Sequence, residues 1–213
     1  MTKIYVLLIS FLMTFCVCAA QFKTDKQFQA GNQYIVLDTP AKNNVPDVLE
    51  FFSINCPHCY VFDQQYHISD TLEKNLPKGV KLARYHVSFL GPLGKELTRA
   101  WAVAVKLNAE KKVLPLFFKA AQETQTLSTQ EDIRQIFIQA GVTQEEYDGA
   151  WNSIPVSALV DKQERTVSDL KLQGVPAVVV KGKYMIKNEN IDASSKEAYA
   201  KEYAQIVDFL LKK

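Results

Sequence analysis

The sequence predicts an α/β fold, one compact unit carrying an all-helical insertion, on three observations. Strand-like and helix-like runs alternate as strand, helix, strand early in the chain. A long series of helical patterns with no strand among them fills the middle. A strand hairpin and one last helix then close the chain.

Tyr34-Ile35-Val36-Leu37 and Val48 to Phe52 are β-branched and aromatic runs and read as strands. After Cys56 the residues Val61, Phe62, Tyr66, Ile68, Leu72 and Leu76 repeat one helical face, which predicts a helix to about Asn75. Asn55 would cap it, and Pro57 would sit in its first turn, where a missing N–H costs nothing. Pro77-Lys78-Gly79 is a turn signal before a third strand over 80–87, and a strand-helix-strand order makes its two strands parallel. Helical patterns follow over 95–107, 116–123, 128–140, 143–151 and 155–172. Strands return at 175–180 and 184–186 around a Lys181-Gly182-Lys183 hairpin turn, and a helix over 195–211 ends the chain. The pattern contains no repeat and no low-complexity linker.

Lys3, an apolar stretch over 4–17 and Cys18-Ala19-Ala20 before Gln21 read as a secretory signal peptide over residues 1–20. A membrane anchor is the alternative, but the run is short for a span. Cys16 and Cys18 lack the setting of a lipoprotein cleavage site and would leave with the signal, so the exported chain keeps Cys56 and Cys59. One pair is too few to staple a fold of this length, which can bury a sufficient core without it, so the pair points to chemistry. A net charge of +2 with both signs interspersed gives no basic face for nucleic acid and none for an acidic lipid surface.

Cys56-Pro57-His58-Cys59 lies where an apolar strand passes into a helix. Cys56 at that helix start would sit beside unpaired backbone N–H groups and the positive end of the dipole, which favours thiolate, the reactive species in disulfide exchange. The alternative is half of a zinc site, which needs two further ligands and has only His67 and His86 beyond the tetrad. A His58 ring near Cys56 can stabilise the thiolate by a hydrogen bond or a positive charge; a solvated loop histidine is the bland reading. Glu50 falls within a strand expected to be buried on both faces, where a carboxylate is costly without a partner or a task, and Arg84 on the neighbouring strand could pair with it. Trp101 and Trp151 read as core, and His67 and His86 as structural.

The stretches Val48-Leu49-Glu50-Phe51-Phe52-Ser53, Cys56-Pro57-His58-Cys59-Tyr60, His67-Ile68-Ser69-Asp70, Ala100-Trp101-Ala102-Val103-Ala104, Glu146-Tyr147-Asp148, Ala150-Trp151-Asn152-Ser153 and Gly174-Val175-Pro176-Ala177 resemble, in order, the DsbA family of periplasmic thiol:disulfide oxidoreductases. The resemblance implies a thioredoxin fold with an inserted all-helical domain, divided as 21–87, an insertion over 88–172, and 173–213. It implies Cys56 as nucleophile and Cys59 as resolving thiol, with Glu50 moving the proton of Cys59. It also implies a cis Pro176 facing the cysteines, and Val175 backbone groups that pair with an extended substrate. The family more often has lysine near Arg84, and arginine keeps its proton where lysine can release it, which argues against a relay there. Phe89-Leu90-Gly91-Pro92-Leu93 would border an apolar groove, one residue shorter than in the familiar family member.

The activity so implied is introduction of disulfides into newly exported, cysteine-containing proteins in the periplasm, by a monomer with no cofactor and no metal. A DsbB-like quinone-linked membrane protein would reoxidise it. An isomerase or a reductase is the nearest rival, and a peptide-binding chaperone with a structural disulfide the rival from another class.

Overall fold

The computed structural model describes residues 28–40 and 45–213; the expected signal peptide lies outside them. Five strands form one mixed sheet in the order β1-β5-β4-β2-β3. They are β1 (Tyr34–Val36), β2 (Val48–Phe52), β3 (Leu82–His86), β4 (Ala177–Val180) and β5 (Tyr184–Ile186). The parallel pair is β2 with β3, as the strand-helix-strand order requires, and β4 runs antiparallel to β2 on the other side. The β4–β5 turn places Lys181 and Gly182 both at positive φ, 52° and 62°, the two-residue geometry that suits the twist of a hairpin.

Every residue of β2 is buried, so this strand is the centre of the molecule. Its alternation divides the core. Leu49 and Phe51 meet Tyr85, Val87, Ala177, Val179, Leu170 and Leu172 on one face. Val48 lies on the other, against Ile68 and Leu72 of α2 (Ile68–Asn75) and Tyr203, Ile206, Val207 and Leu210 of α8 (Lys196–Lys212).

Between β3 and β4 the chain makes only helices: α3 (Gly94–Leu107), α4 (Glu110–Phe118), α5 (Gln130–Gln139), α6 (Gln144–Trp151) and α7 (Ile154–Asp169). Thr129 and Thr143 close full capping boxes on α5 and α6 with Asp132 and Glu146. These helices bury Trp101, Val113, Phe117, Phe118, Ile133, Phe137 and Val156 in a core of their own, which Phe52, Ile54, Cys56 and Cys59 join from the sheet side. At about 1.5–3 kcal/mol for each large apolar side chain buried, such a core holds without a disulfide. The cysteine pair therefore sits at the junction of sheet and insertion.

Two helices differ from the sequence pattern. The helix expected from Cys56 to Asn75 is α1 (Pro57–Tyr60), a wider π turn over Val61–Gln65, and then α2, broken at His67, whose φ of 51° is left-handed. The apolar periodicity runs through that break because both halves pack on the same core. The helix expected over 116–123 begins at Glu110 and ends in a π turn over Lys119–Glu123. Pro115 lies inside it; burial of Val113, Leu114, Phe117 and Phe118 offsets the hydrogen bond a proline cannot make.

Candidate active site

Cys56 itself caps α1. Its backbone is extended (φ −92°, ψ 115°), and its Sγ accepts the Cys59 amide at 3.3 Å, the place a Ser or Asp oxygen usually takes. Asn55, expected as the cap, does something else: its side-chain amide donates to the carbonyls of Leu90 and Pro92 at 3.0 and 2.8 Å. The helix starts one residue later than expected because the Cys56 amide is turned back onto the Ser53 carbonyl at 3.1 Å. Asn55 thus ties the cysteine turn to the 89–93 loop. Gly91 there has φ +65°, and a Cβ on it would come within 2.8 Å of the Asn55 amide.

Both cysteines are free thiols, with Cys56 5% and Cys59 1% exposed. A hydrogen bond from the Cys59 thiol, together with the backbone N–H groups of Cys59 and His58 and the positive charge of His58, brings the Cys56 thiol down to about 6 despite its burial. Burial, and the pairing with Cys56, push Cys59 the other way, far above the ordinary thiol range. At neutral pH the pair is one thiolate and one thiol.

Pro57 and His58 are exposed at the first turn. The His58 charge is the smallest of the influences that lower Cys56, behind hydrogen bonds from Cys59 and the backbone. Replacing His58 with leucine is therefore expected to raise the Cys56 pKa by less than about one unit and the glutathione equilibrium by less than about 30 mV toward a poorer oxidant. Thiolate absorbance titration and glutathione equilibration of the variant check both numbers. A return to an ordinary thiol would make His58 the dominant influence.

The Val175-Pro176 bond is cis, and the Val175 carbonyl lies 3.4 Å from Cys56 Sγ, which donates to it as a thiol. What holds this turn is a set of side chains from the far end of the chain. Asn188 donates to the Pro176 carbonyl at 2.9 Å, and is itself fixed by the hydroxyls of Tyr199 and Tyr203 on α8 at 3.0 and 3.1 Å. Only an asparagine in an irregular loop marks that role in the sequence.

Glu50 projects from β2 behind the cysteines and is 1% exposed. Burial raises its pKa, while Arg84 at 2.9 Å and the Ser69 hydroxyl at 2.8 Å pull it back. Arg84 also pairs with Asp63 at 2.8 Å and lies over the Phe52 ring, 4.7 Å from its centroid. The pairing of Glu50 with Arg84 read from the sequence is thus present, and the Glu50 charge reaches Cys59, helping to keep it protonated. A cavity of about 850 Å³ lined by Asp63, Ser69, Arg84 and Trp101 opens this cluster to solvent.

His86, expected to be structural, is buried with both ring nitrogens in use, one facing the Ile54 amide at 3.1 Å and the other Thr98 Oγ1 at 2.9 Å, so it is not available to a metal beside the cysteines. His67 lines the cavity beyond Glu50. Trp101 is core, its indole N–H on the Arg84 carbonyl at 2.7 Å, and Trp151 is half-buried with Arg99 over its ring.

A polarised dithiol at a helix start is the working part of thiol:disulfide oxidoreductases, and comparison with known proteins puts the chain in that class. The DSBA-like thioredoxin domain family matches residues 47–200, and the chain belongs to it. It is 53% identical over 213 residues to the thiol:disulfide interchange protein DsbA of Pectobacterium carotovorum subsp. carotovorum, covering 100% of both chains. To DsbA of Yersinia pestis it is 51% identical, covering 99% of each. The crystal structure of the disulfide oxidoreductase DsbA from Proteus mirabilis superposes with a TM-score of 0.85 at 51% identity, over 88% of this chain and 98% of that one. A second structure of the Proteus mirabilis protein, with a non-covalently bound peptide PWATCDS, matches at the same TM-score of 0.85, covering 88% of this chain and 100% of that one. The fold is thus a thioredoxin fold with a helical insertion, and the protein is a disulfide oxidoreductase.

Proposed function

We propose that the protein acts as an oxidant of dithiols, introducing disulfides into newly exported proteins in the periplasm after loss of residues 1–20. The observation that carries this reading is the Cys56 thiol, brought to about 6 beside a Cys59 held protonated. Stabilising the reduced thiolate makes the disulfide a stronger oxidant, and a low-pKa thiol is a good leaving group. In the oxidised protein a substrate thiolate attacks Cys56 Sγ and expels Cys59. Glu50 supplies the proton that Cys59 needs as it leaves, drawing on the solvent of the cavity at Asp63 and Arg84. A second substrate thiolate then expels Cys56 as a thiolate and completes the substrate's disulfide.

Substrate is held as an extended segment at Val175 and Pro176. A thiolate cannot donate to the Val175 carbonyl, so ionisation of Cys56 or closure of the disulfide releases that carbonyl to accept from a substrate amide. The bound peptide of the Proteus mirabilis complex supports a peptide-sized ligand. Among the described residues no helix is long and apolar enough to cross a membrane. Reoxidation by a DsbB-like quinone-linked membrane protein, a monomeric state, and a division at 21–87, 88–172 and 173–213 complete the proposal.

The test is a redox equilibrium. Oxidised protein mixed with a reduced, unfolded test protein is expected to transfer one disulfide per molecule and then stop, turning over only when membranes bearing the quinone-linked partner are added. Its equilibrium with glutathione should lie toward the reduced protein. An equilibrium favouring the disulfide, with rapid reduction of insulin, would make the protein a reductase instead.

A further inference from the structure

Ile54, two residues before the nucleophile, is fully buried and has both of its backbone groups held by side chains from distant parts of the chain. Its N–H donates to His86 Nε2 at 3.1 Å, and its carbonyl accepts from Gln122 Nε2 at 2.7 Å. Because Nε2 accepts, the imidazole is neutral with its proton on Nδ1, which donates to Thr98 Oγ1 at 2.9 Å; the Thr98 hydroxyl passes on to the Gly94 carbonyl at 3.0 Å. The His86 amide is tied to Gln163 of α7 at 2.9 Å. His86 belongs to β3, Thr98 to α3, and Gln122 to the π turn after α4.

We infer that His86 and Gln122 are positioning residues for Cys56, a clamp from sheet and insertion on the one peptide segment that sets where the α1 N-terminus lies. The inference rests on the reading of Cys56 as nucleophile. The hydrogen bonds that stabilise its thiolate come from the Cys59 thiol and from the amides at 58 and 59, and the geometry of all three depends on where the turn at 53–56 is pinned. A small shift in that turn weakens the charge-assisted bonds, which are steep in distance and angle. The insertion thus acts on the redox centre through the Ile54 backbone as well as by packing against the cysteines.

The amide of glutamine reaches about as far as Nε2 of histidine and that of asparagine about as far as Nδ1. His86→Gln keeps an acceptor for Ile54; His86→Asn keeps only the Thr98 side. H86N is expected to raise the Cys56 pKa by about half to one unit and to weaken the glutathione equilibrium about three- to tenfold. H86Q should stay within about twofold of the parent on the same scale. Gln122→Leu, which frees the Ile54 carbonyl from a half-buried side chain, should move both readouts in the direction of H86N. A merely structural role predicts lower urea stability in all three variants with the thiolate titration and glutathione equilibrium unmoved, and that outcome overturns the inference. Should H86N not fold, Q122L decides by the same two readouts. Cys56→Ala is run beside them: activity persisting there refutes Cys56 as nucleophile, a failure distinct from that of the clamp.

Discussion

Cys59→Ala is expected to turn the catalyst into a trap, and Cys56→Ala to abolish covalent chemistry altogether. With its pKa at about 6, Cys56 is about 90% thiolate at pH 7, whereas Cys59, raised well above an ordinary thiol, is under about 1%. That difference is a factor of about a hundred in reactive species before access counts, and Cys59 is also 1% exposed. In the Cys59→Ala variant Cys56 still attacks a disulfide, but no second thiol releases the mixed disulfide that forms. Non-reducing gels and intact mass should show adducts accumulating there and none with Cys56→Ala. Oxidation of a reduced test protein should fall at least about a hundredfold in both variants. Adducts on Cys59 in the absence of Cys56 would reverse the two roles.

The opposite ionisation of the two cysteines was readable because it depends on local geometry. A cysteine pair four residues long, set between a strand and an amphipathic run, fixes which thiol meets the helix start, whether or not the cap falls at 55 or 56. Strand β2 and strand β5 coincide with their predicted spans for a similar reason: a short apolar, aromatic-rich run and a positive-φ turn leave marks in the residues themselves. The break at His67 left no mark. Ile68 and Leu72 continue the apolar face, and a histidine, although enriched among left-handed residues, is far more often found in ordinary helical or extended backbone.

What the sequence could not reveal is long-range and polar. His86 and Gln122 meet Ile54 across 32 and 68 residues, and Asn188 reaches the Pro176 carbonyl from the far side of a hairpin. Each is a single hydrogen bond with no periodicity around it. Glu50 was visible only because a carboxylate on a strand buried on both faces needs a partner. The partner itself, Arg84, was guessable from parallel register, since Glu50 stands opposite Arg84 in the β2–β3 ladder. Its second bond to Asp63, in a π turn, was not.

The last expected result concerns stability, because the same thiolate that drives exchange must appear in the folding equilibrium. Reduced protein should become more stable than oxidised protein as pH rises, the reverse of a structural disulfide. The folded Cys56 pKa lies near 6 and the unfolded one near 9.0, so between those values the unfolded reduced chain binds more protons. The Cys56 contribution to the stability of the reduced form therefore rises with pH by up to about 1.4 kcal/mol per unit, is complete near pH 9 and is lost as pH falls through 6, while Cys59, raised in the folded state, takes stability away above about pH 9. At pH 7, one unit above the folded pKa, the gain is about 1.4 kcal/mol. Against it stands the chain entropy of a four-residue disulfide loop, about 2 kcal/mol in favour of the oxidised form. The two forms should cross a little above neutral pH, with the reduced form ahead at pH 8 to 9 and the oxidised form ahead at pH 6. Urea unfolding of both forms across that range measures the difference directly. Parallel pH profiles in the two redox states would mean that Cys56 ionises as an ordinary thiol, and the oxidant reading would fall with it.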